Sequence, residues 1–557
     1  MKKKIIFLLA GIVSVLSMPS CTDLDEKVYD KMQPGDQYGS TEAEVKAMMG
    51  NTYNTLKSYL NERFLYLSEN AGSMAVTPTR YGGDWYDGGQ FREFYMHTWT
   101  AQTRQIHTAW VSASSAIATS NAAIDMLEKA SFFNDNDPVK REKKEANRKE
   151  YVASMRGVRA FWYYVMLDNW GNIPLVTEYE DHEDLEHHEH GEGELPEITP
   201  RQEAFDWLVK EVNEIIDDCP DASDVNYGKF TKGAAYMILA KLYLNAEAWS
   251  ISVEGNAYQK CIEACNNVMG TGFNYYEFAP NWSDNFAYTN PRPKEAILTA
   301  CYSDKDANAD FCFRMMNLTL HYSDGASEGG RYSAQNGIIA QPDYVQLFVD
   351  NNDPRLDATF RIGKRYNQST GAQLTTGQNN DPLNYTINTD FVDNIGYDDT
   401  NWRDVKQESG ARCQKWPYVN GLGGAMNNHF HIFRLADVYL MKVEALLRSG
   451  GSGATGLVND FRAHVYNSFK GYDYVPLTDT DVNLERIALE RKLEFAWEGW
   501  SRQDDIRFGT FEKGSWSASE CDRKEGEYLK LYPIPLDAWQ TNQKLKQNPG
   551  YPKFPNQ

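Results

Sequence analysis

The sequence predicts a mainly α protein in which two helical regions flank a loop-rich, mixed central lobe. Three observations carry this. Apolar residues recur at helical spacing through long stretches near both ends, and small residues stand among them where neighbouring helices would touch. From about Gly270 to Asn428 that periodicity gives way to Gly, Asn, Asp and aromatic residues with short alternating runs such as Ala296 to Tyr302. The 557 residues, 41% of them apolar, are ample for a packed core.

At the start, Lys2, Lys3 and Lys4 precede an apolar run from Ile5 to Leu16, and small residues lead to Cys21. This is the pattern of an export signal, and its apolar run is shorter than the roughly 20 residues a bilayer span requires. Cys21 directly after the signal resembles the bacterial lipoprotein pattern, in which that thiol is acylated and becomes the N-terminus. The acidic stretch Thr22 to Glu26 suits a tether, while Pro19 departs from the usual small or aliphatic residue.

Thr41 and Glu44 have capping-box spacing at the head of a helix running through Val45, Met48, Tyr53 and Leu56. Amphipathic helices follow at Thr108 to Lys129, Arg148 to Asn169, Gln202 to Asp217, Thr231 to Ala248 and Ala257 to Met269. The pattern returns at Ile432 to Arg448, Leu457 to Tyr466 and Leu484 to Arg507. Short turns join many of these, so antiparallel pairs are expected. Gly233, Ala234, Ala235 and Ala240 among Tyr236, Leu239, Leu242 and Tyr243 resemble a tetratricopeptide helix pair, without a strict 34-residue period. The expected regions are a signal at 1–20, a helical part at 21–270, a loop-rich lobe at 271–430 and a second helical part at 431–557.

Charge and motif content exclude several functions. A net charge of -22 argues against nucleic acid, whose phosphates require Lys and Arg clusters. Beyond Cys21 the cysteines are Cys219, Cys261, Cys265, Cys301, Cys312, Cys413 and Cys521, an odd set without paired spacing, so buried free thiols are expected. Gly451, Gly453 and Gly456 spell GxGxxG after a helix rather than a strand, which makes them a helix-to-helix turn. His182, His187, His188 and His190 lie in an acidic stretch without HExxH order, and read as a solvated loop. Asn134, Asp135, Asn136 and Asp137 offer calcium-type oxygens but lack the glycine and distal glutamate of an EF-hand loop. No cofactor is expected beyond a structural calcium.

Five blocks, in order, resemble the SusD/RagB family: MRGVRAFWYYVMLDNWGNIPLVT from Met155, FTKGAAYMILAKLYL from Phe230, HIFRLADVYLMKVEALLR from His431, ERIALERKLEFAWEGWSRQDDIRFG from Glu485, and YPIPLDAWQTNQKLKQNPGY from Tyr532. CTDLDE at Cys21 matches the family's lipidated start. The resemblance implies an outer-membrane, surface lipoprotein with tetratricopeptide-like helices, an irregular ligand lobe and a SusC-like TonB-dependent transporter as partner. It implies capture of an oligo- or polysaccharide; capture of a peptide or other nutrient is the alternative. A glycoside hydrolase is disfavoured, because the Glu and Arg residues between Glu485 and Arg507 have the spacing of helix-surface pairs around a packing stripe.

A sugar ring presents an apolar face and a hydroxyl rim, so capture requires an aromatic wall with polar groups beside it. Thr79 to Phe91, TRYGGDWYDGGQF, has that composition: Tyr81, Trp85 and Tyr86 among four glycines, with Arg80, Asp84 and Asp87 able to bond hydroxyls. The family's ligand face lies between its first helices, which agrees. A second candidate cluster comprises Trp282, Asn285 and Tyr288, followed by His321, Tyr322 and Arg331. Trp99 and Trp110 read as core.

Overall fold

The computed structural model describes residues 38–59, 64–179, 195–271, 275–303, 315–329, 334–377, 380–392, 403–417, 426–512 and 523–555. Helices follow in chain order: α1 (Glu42–Thr55), α2 (Arg92–Met96), α3 (Arg104–Lys129), α4 (Pro138–Trp170), α5 (Arg201–Ile215), α6 (Lys232–Asn245), α7 (Ala257–Asn266) and α8 (Met315–Thr319). They continue with α9 (Tyr322–Ser327), α10 (Pro342–Asp350), α11 (Leu356–Thr359), α12 (Leu435–Ser449), α13 (Ala454–Asn467), α14 (Leu484–Phe495), α15 (Ser501–Arg507) and α16 (Leu536–Thr541). Among these residues no helix is long and apolar enough to cross a membrane.

Local chemistry explains most of the helix ends. Thr41 Oγ1 accepts from the Glu44 amide at 3.3 Å while Glu44 Oε2 accepts from the Thr41 amide at 3.0 Å, the capping box expected for α1. α4 starts ten residues before the expected Arg148, because Asp137 caps it through the Val139 amide at 3.0 Å and Pro138 occupies its first turn. Its first turns are polar all round, so no apolar stripe marked them. The same bonds give Asp137 a capping role, and Asp135 pairs with Lys144 at 3.2 Å.

α3 packs on α4, α4 on α5, α6 on α7, and α12 on both α7 and α13. Gly157 on α4 lets the Phe230 ring sit where a Cβ would be. The first two glycines of the GxGxxG segment, Gly451 and Gly453, lie in the α12–α13 turn, where Gly450 and Gly453 are in the left-handed region, and Gly456 lies within α13. One hydrophobic cluster runs from Leu56 to Phe554 and takes in Trp99, Trp110, Trp162, Trp170 and Trp497, so the three regions share a core. Cys219, Cys261, Cys265 and Cys413 are buried free thiols, Cys301 is a half-buried one, and Cys21, Cys312 and Cys521 lie outside the described residues.

Strands are short: β1 (Ala75–Val76), β2 (Ile173–Pro174), β3 (Ile198–Thr199), β4 (Ala296–Ala300), β5 (Ile339–Ala340), β6 (Phe360–Arg361), β7 (Gly363–Lys364), β8 (Asn384–Tyr385), β9 (Phe391–Val392), β10 (Asp404–Val405), β11 (Arg412–Cys413) and β12 (Phe430–Arg434). They form antiparallel pairs: β1 with β5, β2 with β3, β4 with β12, β6 with β11, β7 with β8 and β9 with β10. The β4–β12 ladder corrects one expectation, since Ile432 to Arg434 belong to a strand and α12 starts at Leu435.

The stretch Leu484 to Arg507 is two helices, not one. Trp497 (φ 69°) and Gly499 (φ 87°) are left-handed and break it between α14 and α15. The break turns the Gly499 amide onto the buried Glu69 carboxyl group. It also aims Glu498 inward, where it meets Arg434 Nε at 2.7 Å. Glu490, Glu494 and Glu498 are therefore buried in a charge network rather than spread over a helix surface as their spacing suggested. Glu494 bridges Arg355 and Arg434, each at 2.6 Å.

Candidate functional site

The loop from Thr79 to Phe91 is a series of tight turns. Arg80 N–H donates to the Asp84 carbonyl at 2.8 Å, Gly83 N–H to Arg80 at 2.9 Å and Tyr86 N–H to Gly83 at 3.1 Å. Gly82, Gly83, Gly88 and Gly89 all have positive φ, which explains the paired glycines. Trp85 (φ 62°) shares that conformation without being glycine, a strained state that its surroundings must hold.

Those surroundings come from distant parts of the chain. The Trp85 indole N–H donates to the Gln335 carbonyl at 2.7 Å, its ring packs on Phe91 at 5.0 Å, and it occupies the space a side chain at Gly337 would need. Gln407 Nε2 donates to the Tyr81 carbonyl at 2.8 Å, and Gln407 Oε1 accepts from Asn336 Nδ2 at 2.6 Å. Tyr86 lies beneath the Arg92 guanidinium, 5.2 Å from ring centre to cation. Tyr322, at the start of α9, donates its hydroxyl to the Asp84 carboxylate and leaves 43% of its surface exposed. Burial and the Asp84 charge both push the Tyr322 hydroxyl pKa upward, so it stays a donor.

Tyr81, Asp84, Trp85 and Tyr86 are thus half-buried on one loop, to which the exposed Tyr322 is joined through the Asp84 carboxylate. Tyr322 thus leaves the second candidate cluster and joins the first. Three other expectations are corrected. Arg80 is fully buried and cannot reach a ligand hydroxyl: its guanidinium donates to the carbonyls of Asn336 (2.9 Å), Lys406 (3.1 Å), Ser409 (3.0 Å) and Gly337 (3.2 Å). Trp282 is buried with its indole N–H on Glu494 at 2.9 Å, so its faces are filled by protein. Asn285 is buried too and donates to Glu295 Oε2 at 2.9 Å.

Tyr288 is half-buried, with its carbonyl accepting from Asn427 at 3.3 Å. His321 is buried as the cap of α9, its Nδ1 accepting from the Ser323 amide at 3.2 Å. Burial, with Arg412 and Arg80 nearby, lowers its pKa to about 4, so it is neutral at pH 7. Arg331, the His182 to His190 group and Cys21 lie outside the described residues.

Beneath this face Arg412 repeats the role of Arg80. It donates to the carbonyls of Ser409 (2.7 Å), Gly410 (3.0 Å) and Gln407 (3.1 Å) and to Asn336 Oδ1 at 2.9 Å. The two arginines knit the loops 79–91, 334–341 and 404–413 into one support. Sequence reasoning missed Gln335, Asn336, Gln407 and Arg412, because nothing local ties residue 407 to residue 81.

Comparison with known proteins now decides the lineage. Residues 246–551 match the family described as SusD family, and residues 24–244 match one described as "Starch-binding associating with outer membrane". The chain belongs to the SusD family. It is 24% identical over 432 residues to the starch-binding protein SusD of Bacteroides thetaiotaomicron, covering 72% of each chain. A solved laminarin binding SusD-like protein superposes with a TM-score of 0.65 at 21% identity, covering 92% of this chain and 100% of that one. Surface glycan-binding protein A from Bacteroides thetaiotaomicron, solved with laminarihexaose, gives 0.66 at 17% identity, covering 91% and 99%. These likenesses agree with the mainly α SusD fold read from the sequence.

Proposed function

We propose that this chain is a surface receptor that binds an oligosaccharide on the Tyr81–Trp85–Tyr86–Tyr322 face and delivers it to a SusC-like TonB-dependent transporter, without catalysis. One observation carries the reading: half-exposed aromatic rings and a carboxylate stand on a loop held rigidly from behind by two buried arginines. Such a face suits a sugar ring, whose apolar side stacks while its hydroxyls bond the carboxylate. The named relatives, which bind starch and laminarin, favour a glycan over a peptide.

A glycan array on the purified protein, with a peptide pool as control, tests the ligand class. Retention of peptides alone overturns the reading. Tyr322→Ala is a cleaner probe than Trp85→Ala, because the Trp85 indole also packs and hydrogen-bonds within the fold. Loss of the stacking surface should weaken glycan binding about tenfold, or about 1–2 kcal/mol, with little change in Tm. Release of reducing ends in proportion to added protein, surviving repurification, would show catalysis.

Anchoring on Cys21 has its own test. Cys21→Ser should release the protein from outer membranes in cells lacking the transporter, since firm anchoring rests on multiple acyl chains. Membrane retention of that variant overturns the lipid anchor and leaves the binding face untouched.

A further inference from the structure

α9 separates the aromatic face from a second feature. Tyr322 opens this helix beside Asp84, and Glu328 follows its last residue, about 9 Å further along the axis. At that end lies a solvent-open depression of about 500 Å³, lined by Glu328, Asp357, Arg361, Arg365, Gln368 and Gln414. Neither the sequence reading nor any family match assigns it a role.

Its walls are set before any ligand arrives. Arg361 Nη1 donates to Glu328 at 2.8 Å and to Asp324 at 3.2 Å, while its Nε donates to Gln414 Oε1 at 2.6 Å. Arg365 Nε meets both Asp324 oxygens at 3.3 Å. The Gln368 backbone N–H donates to Ser327 Oγ at 2.9 Å, tying the far wall to α9. Preset polar groups lose little freedom on binding.

Charge and shape narrow the ligand. Glu328 and Asp357 balance Arg361 and Arg365, and Asp324 behind them adds one negative charge, so a carboxylate or sulfate finds no net attraction. Phe360 is buried, which leaves no aromatic wall for stacking. Carboxylates, guanidinium groups and amides side by side match adjacent hydroxyls, which donate and accept at once. We infer that this depression is an accessory subsite that takes an uncharged sugar residue edge-on, so that one oligosaccharide spans α9 from the aromatic face. The inference rests on the glycan reading of that face.

The test uses the full chain and an Asp357→Ala/Gln368→Ala double variant, whose side chains are both exposed and are not members of the Arg361 and Arg365 ion pairs. Each protein is titrated with whichever of laminarihexaose, maltohexaose and cellohexaose the unsubstituted protein holds most tightly, and with the matching disaccharide. The variant should lose about tenfold in hexasaccharide affinity, the scale of one or two hydrogen bonds, and keep its disaccharide affinity and Tm. Undiminished hexasaccharide binding overturns the subsite alone. A tighter grip on hexagalacturonate that the double variant abolishes overturns its uncharged specificity. If the unsubstituted protein binds none of the three hexasaccharides, or if Tyr322→Ala leaves disaccharide binding intact, the reading of the aromatic face fails first and takes the subsite with it.

Discussion

The network around α14 and the support beneath the aromatic loop both bury arginines, and they use them in opposite ways. In the α14 network Arg434 meets Glu295 at 3.0 Å, Glu494 at 2.6 Å and Glu498 at 2.7 Å, and Arg355 meets Asp353 at 2.7 Å and Glu494 at 2.6 Å. Beneath the aromatic loop Arg80 and Arg412 donate to backbone carbonyls and an amide oxygen instead of forming such ion pairs. The difference follows from the backbone. Helices satisfy their own carbonyls and leave side chains to pair, whereas two-residue ladders leave carbonyls that the five donors of a guanidinium can satisfy. Charge pairs therefore tie α14 to its neighbours, and buried donors fix how the aromatic loop lies.

Acid is the broadest way to break this comparison, because it acts on both regions. Burial holds the imidazole pKa of His97 down to about 3, aided by Arg523, and that of His431 to about 3, aided by His429 and Arg434. His429 and His321 are likewise held to about 4, with Arg292 and Arg412 as the nearest contributing cations. An unfolded histidine titrates near 6.5, so between that pH and about 4 the unfolded chain binds more protons and stability falls as pH falls. Glu69 works the other way. Burial raises its carboxyl to about 8, so from about 4.5 to 8 the folded state binds the extra proton and stability falls as pH rises. The two trends place maximal Tm near pH 6.5. Thermal unfolding from pH 4 to pH 9 checks this, and a Tm still rising between pH 7 and pH 8 contradicts the burial of Glu69.

Next in size is Glu494→Ala, which takes one buried carboxylate from both Arg355 and Arg434 and removes the acceptor of Trp282. Although burial alone would raise the Glu494 pKa, Arg434, Arg355 and Lys415 hold it well below the usual carboxylate range, so it is charged at neutral pH. Breaking such a pair from one side costs about 3–5 kcal/mol. Because β12, α12 and α14 share the network, unfolding should stay cooperative with a much lower Tm. A Tm within a degree or two of the parent contradicts the network's role.

How much of this was legible varies with the range of the interaction. Helices with an apolar stripe or a local cap, such as α1 with Thr41 and Glu44, could be read directly. The first turns of α4 could not, since residues 138–147 are polar on every side and only Asp137 and Pro138 mark the start. The break at Ala496 to Trp500 was hidden because its cause is the distant acceptor Glu69 and the partner Arg434. At the proposed site, the Tyr81 to Tyr86 composition picked out a loop whose rings stay half-buried, while Arg80 looked like a hydroxyl contact because its acceptors lie some 250 to 330 residues away. Trp282 shows the converse: an aromatic residue in polar text whose burial depends on Glu494, 212 residues on.

Arg80→Ala is the expected mid-sized effect and separates the two regions. Four carbonyls lose a donor, and water entering the gap should replace part of it, for a cost of about 2–3 kcal/mol. Hydrogen exchange should rise in 79–91, 334–341 and 404–413 and stay unchanged in α12 and α14, whereas Glu494→Ala should do the reverse. Glycan affinity should fall with Arg80→Ala although the residue touches no ligand. Exchange that rises equally everywhere would mean that the lobe has no separate support.

The smallest effect sharpens the comparison most, because it removes one hydroxyl. Tyr322→Phe keeps the ring and deletes its hydrogen bond to Asp84, the link between α9 and the aromatic loop. An exposed bond of this kind is worth about 0.5–1.5 kcal/mol, so Tm should move by no more than a few degrees. Two outcomes then differ in sign for the glycan. If Asp84 serves mainly to hold Tyr322, the ring loosens and affinity falls two- to threefold, about 0.5 kcal/mol. If Asp84 is itself a sugar contact, freeing its carboxylate offsets that loss, and Tyr322→Phe binds as well as the parent or better. Measured beside Asp84→Asn, which weakens the acceptor in both accounts, the pair assigns Asp84 to support or to recognition. We expect recognition, since a half-buried carboxylate among three half-buried aromatic residues has more to gain from a ligand's hydroxyls than from a single phenol.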